Sequence, residues 1–154
     1  MDAFQQFLIE KNACEIAQKW AIGKTIEQAI DECHKGGWLF WLAEKLSVDD
    51  RILVGAVAEC AKTVRHLMVD QRCKTAIDVY IAYANGKATK DDYLTACANA
   101  SWAARDAAQC GRMAELAAAD AVCAADANPP KTTDICRNIL KGPILEKWNQ
   151  IKLA

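Results

Sequence analysis

The sequence predicts an all-α protein, a single compact domain of about eight helices that spans residues 1–154. Three observations support this prediction. Apolar residues recur three or four positions apart in most segments, which is the period of one face of a helix. Residues that typically cap or end helices separate these segments. No segment shows the strict alternation of apolar and polar residues that is typical of a half-buried strand.

The first two predicted helices are short. The first runs from Asp2 to about Lys11, and the second begins after a cap at Asn12 and ends at Gly23. Glu15 stands three residues after the proposed cap, as in a capping box. The residues predicted for the apolar face of the second helix are Ala13, Ile16, Ala17 and Trp20.

The next two helices surround the only Gly-Gly pair in the chain. Thr25 and Gln28 have the spacing of a capping box, which predicts that a third helix begins there. Gly36-Gly37 is expected to end it, because glycine adopts positive φ without strain. The segment Trp38–Leu46 is apolar nearly all round, and we expect this fourth helix to form the centre of the core.

A longer helix is predicted over roughly Asp50 to Val69, capped by Ser47 or Asp49. Its apolar residues follow one another at steps of three and four, which indicates a sustained helical seam. Asp70-Gln71-Arg72 interrupts the pattern, and another helix is predicted from about Cys73 to Asn85. The seam consists of Leu53, Val57, Cys60, Val64 and Leu67.

Alanine dominates the part of the chain after residue 90. Thr89 is predicted to cap a long helix, or two helices, that extends to Ala127 and bends or divides at Gly111. Asn128-Pro129-Pro130 is expected to end this region.

Two short helices are then predicted at the end of the sequence. The first starts at Thr132 or Thr133 and continues to about Lys141, and the second covers Ile144 to Lys152. Gly142-Pro143 is expected to separate them, since proline suits the first turn of a helix.

Charge and hydropathy exclude several classes of function. The 19 basic and 20 acidic residues give a net charge of −1, and the basic residues are scattered, so no basic surface for nucleic acid is expected. The first residues lack the long apolar run of a secretory signal, and no apolar run reaches the length of a membrane span. We therefore expect a cytoplasmic protein that binds neither nucleic acid nor a membrane.

The chain contains eight cysteines but no Cys-x-x-Cys pair. The last four are 13 residues apart, a step that turns successive side chains of a helix in different directions. We interpret the cysteines as reduced core residues and predict no metal and no cofactor. They are Cys14, Cys33, Cys60, Cys73, Cys97, Cys110, Cys123 and Cys136.

Two places in the sequence are candidates for binding a partner. Arg65, His66, Asp70 and Arg72 cluster around a predicted helix end, where they form either a salt-bridged corner or a charged partner site. Trp38 shares a helix face with a second tryptophan, and aromatic residues concentrate at interface hot spots as well as in cores.

No pattern of residues predicts a catalytic site. The paired acids Asp49-Asp50 and Asp91-Asp92 open helices, where carboxylates complement the helix dipole. A small enzyme that uses a cysteine with His34 or His66 remains an alternative, and it requires a thiol of lowered pKa. A scaffold that oligomerises through the alanine-rich helices is another alternative.

Most of the chain resembles a mostly α-helical bacterial family, the fifth immunity group of polymorphic toxin systems. The residues that carry the resemblance in the first part of the chain are an Ala-Cys pair, a tryptophan, an alanine and a cysteine on one helix, a glycine and a Trp-Leu-Phe-Trp-Leu run. They are Ala13, Cys14, Trp20, Ala29, Cys33, Gly37, Trp38, Leu39, Phe40, Trp41 and Leu42. The similarity continues through Asp49–Arg51, Asp70–Arg72, Ala76-Ile77 and Gly86.

The resemblance implies a non-enzymatic protein that neutralises a cognate bacterial toxin by binding it directly. Such domains also occur on phages and mobile elements, where the domain can be a scaffold without a toxin partner. We therefore carry the immunity function forward as a hypothesis, with Arg65, His66, Asp70, Arg72 and Trp38 as its candidate contact residues.

Overall fold

The computed structural model describes residues 2–109 and 129–153. This part of the chain forms eight α-helices and one 3₁₀ turn and contains no strand, which confirms the all-α prediction. The helices are α1 (Ala3–Glu10), α2 (Glu15–Trp20), α3 (Ile26–Glu32), α4 (Gly36–Lys45), α5 (Asp50–Lys62), α6 (Gln71–Ala84), α7 (Lys90–Gln109) and α8 (Pro129–Leu153), and the 3₁₀ turn is Arg65–Leu67. None of these helices is long and apolar enough to cross a membrane.

Several helix ends form as local sequence chemistry predicts. The Thr25 hydroxyl accepts from the Gln28 backbone N–H at 3.2 Å, and the Gln28 side chain accepts from the Thr25 N–H at 2.9 Å. This reciprocal capping box satisfies two N–H groups at the start of α3. Thr89 and Asp92 make the equivalent pair of bonds at the start of α7. Gly23 and Gly86 adopt positive φ after helices, as expected of glycine there.

The buried side chains form two clusters that share α5. The first cluster lies among α1, α3, α4, α5 and α8, and Ala56 and Cys60 are the contribution of α5. The second lies among α5, α6 and α7, and Val54, Ala58 and Ala61 are the contribution of α5. The predicted seam on α5 is therefore partly wrong. Other helices cover α5 on two sides, and Leu53 and Val57 of the predicted seam are only half-buried.

Alanines of α7 pack against other helices of the same chain. Ala96, Ala100 and Ala103 form a buried stripe at helical spacing within the second cluster, which also contains Ile77 and Tyr80 of α6. Small side chains let two helices approach closely, so α6 occupies this face of α7. The predicted extension of the alanine-rich region to Ala127, with its bend at Gly111, lies outside the described residues.

Two predicted helix boundaries near the start of the chain are wrong. Asn12 does not cap α2 but ends α1: it adopts a φ of 58°, and its N–H donates to the Ile9 carbonyl at 3.0 Å. Asparagine tolerates this left-handed conformation better than most residues, which explains why it can end a helix. Cys14 occupies the N-cap of α2 without a side-chain hydrogen bond.

Gly36-Gly37 begins α4, although the sequence predicted that it would end α3. The third helix ends at Glu32, and Cys33 follows it in an extended conformation. Gly36 is buried against α8, where a β-carbon would lie 3.2 Å from the Cys136 sulfur. The glycine at this position is therefore required for close helix packing and not for positive φ.

The helix α5 ends at Lys62, seven residues before the predicted end at Val69. The Thr63 hydroxyl donates to the Cys60 carbonyl at 2.7 Å, and the chain then continues into the 3₁₀ turn. A side-chain bond of this kind competes with the helical backbone pattern. Of the two proposed caps at the other end of α5, Asp49 is the one whose side chain accepts a backbone N–H.

The helix α6 begins at Gln71, two residues earlier than predicted. The Asp70 side chain accepts from the Arg72 N–H at 2.8 Å and so caps the helix. The residues that were expected to interrupt the helical pattern are therefore its N-cap and first turn.

The end of the chain is one helix instead of two. Pro129 and Pro130 belong to the first turn of α8, where proline loses no helical hydrogen bond, and Pro143 lies inside the helix. Because Pro143 has no N–H, the Ile139 carbonyl lacks its usual helical donor. The helix continues because four buried residues on both sides of Pro143 form an unbroken stripe at steps of four. They are Cys136, Leu140, Ile144 and Trp148.

Candidate binding cavity

An apolar cavity of about 390 Å³ opens among α1, α2, α3 and α4. Three tryptophans line it, and we call it the tryptophan cavity. Small side chains of α2 and α3 leave the space, and Phe4 and Leu8 of α1 border it. A cavity of this size and polarity is typical of sites that take a small ligand or the anchoring side chain of a partner. The three tryptophans are Trp20, Trp38 and Trp41.

The helix α4 contributes apolar residues to both the core and this cavity. Leu39, Leu42 and Ala43 are buried in the first cluster, and both leucines also line the cavity, whereas Trp38 and Trp41 line it and are half-buried. The prediction that α4 forms the centre of the core therefore holds for Leu39, Leu42 and Ala43 and is wrong for the two half-buried tryptophans. The reason is that α2, which lines the same cavity, has only six residues and presents the small side chain of Ala17 to it.

Aromatic rings meet at the edge of the cavity. The rings of Trp20 and Trp38 have centroids 5.6 Å apart, and the His34 ring lies 6.3 Å from Trp20 and 6.5 Å from Trp38. Such tilted and edge-to-face arrangements are favourable for aromatic pairs. The exposed His34 therefore packs against the indoles of Trp20 and Trp38.

Two lysines at this edge lie over the indole rings. The Lys24 ammonium is 5.2 Å from the centre of the Trp20 ring and forms an ion pair with Glu32 at 2.5 Å. The Lys35 ammonium is 4.7 Å from the centre of the Trp38 ring. Within the two described segments, no carboxylate lies within 4 Å of Lys35. The edge near Trp38 is therefore electropositive.

Cys33 forms part of the cavity wall and is not an activated nucleophile. Burial raises the pKa of its thiol, and this effect exceeds the opposing effects of a hydrogen bond with the Lys35 backbone and of the Arg137 and Lys35 charges. A catalytic thiol needs the opposite shift. The raised pKa of Cys33 therefore does not favour this thiol as the nucleophile of the enzyme alternative.

Large apolar side chains are exposed on the segment that covers one side of the cavity. Ile16 on α2 is 67% exposed and Ile22, just after α2, is 68% exposed. The prediction that Ile16 belongs to a buried face is wrong, because Ala17 of α2 and its C-cap Ala21 are the residues that line the cavity. Exposed isoleucines next to an open apolar cavity are characteristic of a surface that binds another molecule.

The candidate residues Arg65, His66, Asp70 and Arg72 lie together at the turn between α5 and α6, which we call the arginine corner. Arg65 binds both carboxylate oxygens of Asp78, at 2.9 and 3.2 Å. Arg72 pairs with Asp70 at 2.7 Å. The two guanidinium groups thus have partners within the chain.

The remaining candidate residues, His66 and Trp38, lie in different parts of the structure. His66 and Val69 are exposed at the arginine corner, Val69 by 68%. The fifth candidate, Trp38, belongs to the first hydrophobic cluster and not to this corner. The structure therefore does not bring the five candidate residues into one site.

A third cluster of polar and aromatic groups joins α5, α6 and α7. The Tyr83 and Tyr93 rings are stacked with centroids 5.2 Å apart, and Lys90 lies over both rings while it pairs with Asp50. Burial raises the pKa of Tyr93, and a hydrogen bond with Cys97 acts in the same direction. The bond to Asp50 raises the pKa of Lys90. These groups mainly connect helices to one another.

Comparisons with known proteins do not indicate a function, so the function is inferred from the residues of the chain itself. No protein-family model, curated protein or solved structure matches the sequence or the fold. In residues 2–109 and 129–153, no three histidine, cysteine or acidic side chains are grouped to hold a metal ion. The tryptophan cavity and the exposed isoleucines beside it are the strongest candidate for a functional surface.

Proposed function

We propose that the protein is an immunity-type binding protein that neutralises a cognate bacterial toxin by direct, non-enzymatic protein–protein binding. One observation carries the proposal. All but Phe40 of the residues that carry the family resemblance between Ala13 and Leu42 line the tryptophan cavity. The family pattern and the candidate binding surface are therefore formed by the same side chains.

The physical character of this surface fits a protein partner. Ile16 and Ile22 are exposed on the segment whose Ala17 and Ala21 line the cavity, and the half-buried Trp38 and Trp41 supply rigid aromatic area. Buried aromatic anchors, surrounded by contacts that exclude water, contribute most of the energy in typical interfaces. A toxin that inserts an apolar side chain here and also contacts α2 would bury the exposed isoleucines.

Co-expression with the product of an adjacent reading frame tests the proposal. The protein should prevent growth arrest by a toxic neighbour and should be recovered bound to it. Ile16→Asp should abolish both effects, because it places a charge in the apolar surface. Val69→Asp is the matched control, since Val69 is exposed to the same extent but lies at the arginine corner.

The outcomes separate the two surfaces. Loss of protection with Val69→Asp, but not with Ile16→Asp, would place the interface at the arginine corner and would disprove the role of the cavity. Absence of protection and of binding for every adjacent gene product would contradict the immunity function itself.

A further inference from the structure

We infer that the tryptophan cavity also binds a small carboxylic acid, in which an apolar aromatic or branched group enters the cavity and the carboxylate stays at its edge. This inference does not rest on the proposed function, although the ligand would occupy the same cavity into which we propose that a toxin inserts a side chain.

The walls select for an apolar group. Trp38 and Trp41 from α4, Trp20 from α2 and Leu8 from α1 present mainly carbon surface. A volume of about 390 Å³ exceeds the space of a single water by an order of magnitude and falls within the range of small-molecule sites. A planar or branched hydrocarbon group gains the most here, because it removes both its own surface and that of the indoles from water.

The edge of the cavity selects for a negative charge. Lys35 lies over Trp38, which lines the cavity, and has no carboxylate within 4 Å in the part of the chain that the structure describes. The nearby Lys24 is already neutralised by Glu32. A carboxylate beside Lys35 would therefore complete an ion pair that the described residues leave open.

The start of α4 adds to this preference. Lys35 is the N-cap of this ten-residue helix, its side chain makes no capping bond, and the first turn contains no acidic residue. Gly37 in that turn borders the cavity and has no side chain to cover the backbone. The positive end of the helix dipole therefore acts together with the Lys35 ammonium on an anion at this edge.

Two isosteric probes test the inference, 3-phenylpropanoate and its neutral amide, 3-phenylpropanamide. Binding of each is measured by calorimetry and by the change in tryptophan fluorescence. We expect the acid to bind more tightly than the amide. Lys35→Met should weaken binding of the acid by about fivefold, the value of one partly exposed ion pair, and should leave the amide unaffected.

Lys45→Met is the matched control, because Lys45 is an exposed lysine at the opposite end of the same helix. It should change the binding of neither probe. Ala17→Phe should abolish binding of both probes by filling the cavity, and Ala17→Leu should reduce it. Circular dichroism establishes that each variant is folded, and the leucine variant serves if the phenylalanine variant is not.

Any of the following results would overturn the inference. If neither probe binds at millimolar concentration, the cavity is not a ligand site. Equal binding of acid and amide, or equal effects of Lys35→Met and Lys45→Met, would remove the role of the carboxylate. Undiminished binding to the folded Ala17 variants would place the probe elsewhere. None of these results depends on a toxin, so failure of the immunity function remains a separate finding.

Discussion

Gly36 of α4 and Cys136 of α8 pack so closely that a β-carbon at position 36 would lie 3.2 Å from the cysteine sulfur. The Cys136 sulfur also lies 3.7 Å from that of Cys60 on α5, with all three residues buried. Three helices therefore meet at this point, and the absence of one side chain sets how closely they approach.

Gly36→Ala is expected to destabilise the fold by about 1–2 kcal/mol, because the strain of overpacking exceeds the gain in helix propensity. Gly142→Ala is the control, since nothing lies within 4 Å of a β-carbon there and the same propensity gain should stabilise by about 0.5–1 kcal/mol. Urea unfolding measures both. In a Cys136→Ala background, Gly36→Ala should no longer destabilise, and an unchanged penalty would refute the contact as its cause.

Arg137→Met should destabilise the protein by about 2 kcal/mol. The Arg137 guanidinium on α8 donates to the carbonyls of Ile30 and Cys33 at the end of α3, and its loss would leave both without this donor. Lys141→Met removes only the part-exposed ion pair of Lys141 with Asp31 and should cost less than about 1 kcal/mol. Similar unfolding midpoints for the two variants would contradict this explanation.

The two tryptophans Trp148 and Trp41 should respond differently to truncation. Trp148 is 4% exposed and packs edge-to-face on Phe4 and Phe7, so Trp148→Ala should cost about 3–5 kcal/mol. Trp41 is half-buried beside an open cavity, and Trp41→Ala should cost about 2 kcal/mol, less than the sequence alone suggests for a central core residue. Thermal and urea unfolding would measure the stability that each variant loses. An equal or larger loss of stability in Trp41→Ala would indicate that the cavity is closed in solution.

Stability should fall at alkaline pH. Burial raises the pKa of Cys33 and of Tyr93, so the folded chain retains these protons above about pH 8.5 and about pH 10, where the unfolded chain releases them. Since the unfolded state then binds fewer protons, the free energy of unfolding decreases as pH rises through each interval. Tyr93→Phe should lessen the decrease above pH 10, and Cys33→Ala the decrease that begins near pH 8.5.

Urea midpoints at pH 7.5, 9.5 and 10.5 provide the measurement. Absorbance at 295 nm follows the tyrosines directly. A decrease that is identical in the wild type and in both variants would show that other groups cause it.

The sequence predicted those features that depend on neighbours along the chain. The capping box at Thr25 and the cap at Thr89 involve residues three positions apart, and Gly23 lies just beyond the end of α2. Such signals act within one turn, so they can be recognised in a single sequence. The fold class and the starts of α1, α3, α5 and α7 follow from them.

Features that depend on distant residues were not predictable in this way. The local sequence Gly142-Pro143 favours a break, but the stripe of buried residues on both sides of Pro143 maintains α8. The cavity likewise requires Trp20 and Trp38 to meet across a helix boundary, and nothing in the spacing of these residues indicates it. The two glycines before Trp38 gave a local signal for a helix end, whereas the nearby sulfur of Cys136 is the actual reason for the first of them.

The position of α8 also determines the order in which the fold can be completed during synthesis. Arg137 reaches back more than one hundred positions to Ile30, and Cys60 meets Cys136 across 76 positions. The cluster among α5, α6 and α7 is available as soon as those helices leave the ribosome, whereas the cluster among α1, α3 and α4 waits for the final helix. A premature stop codon before residue 129 would therefore release a chain whose first half displays an uncovered apolar face, a substrate for chaperones and proteases.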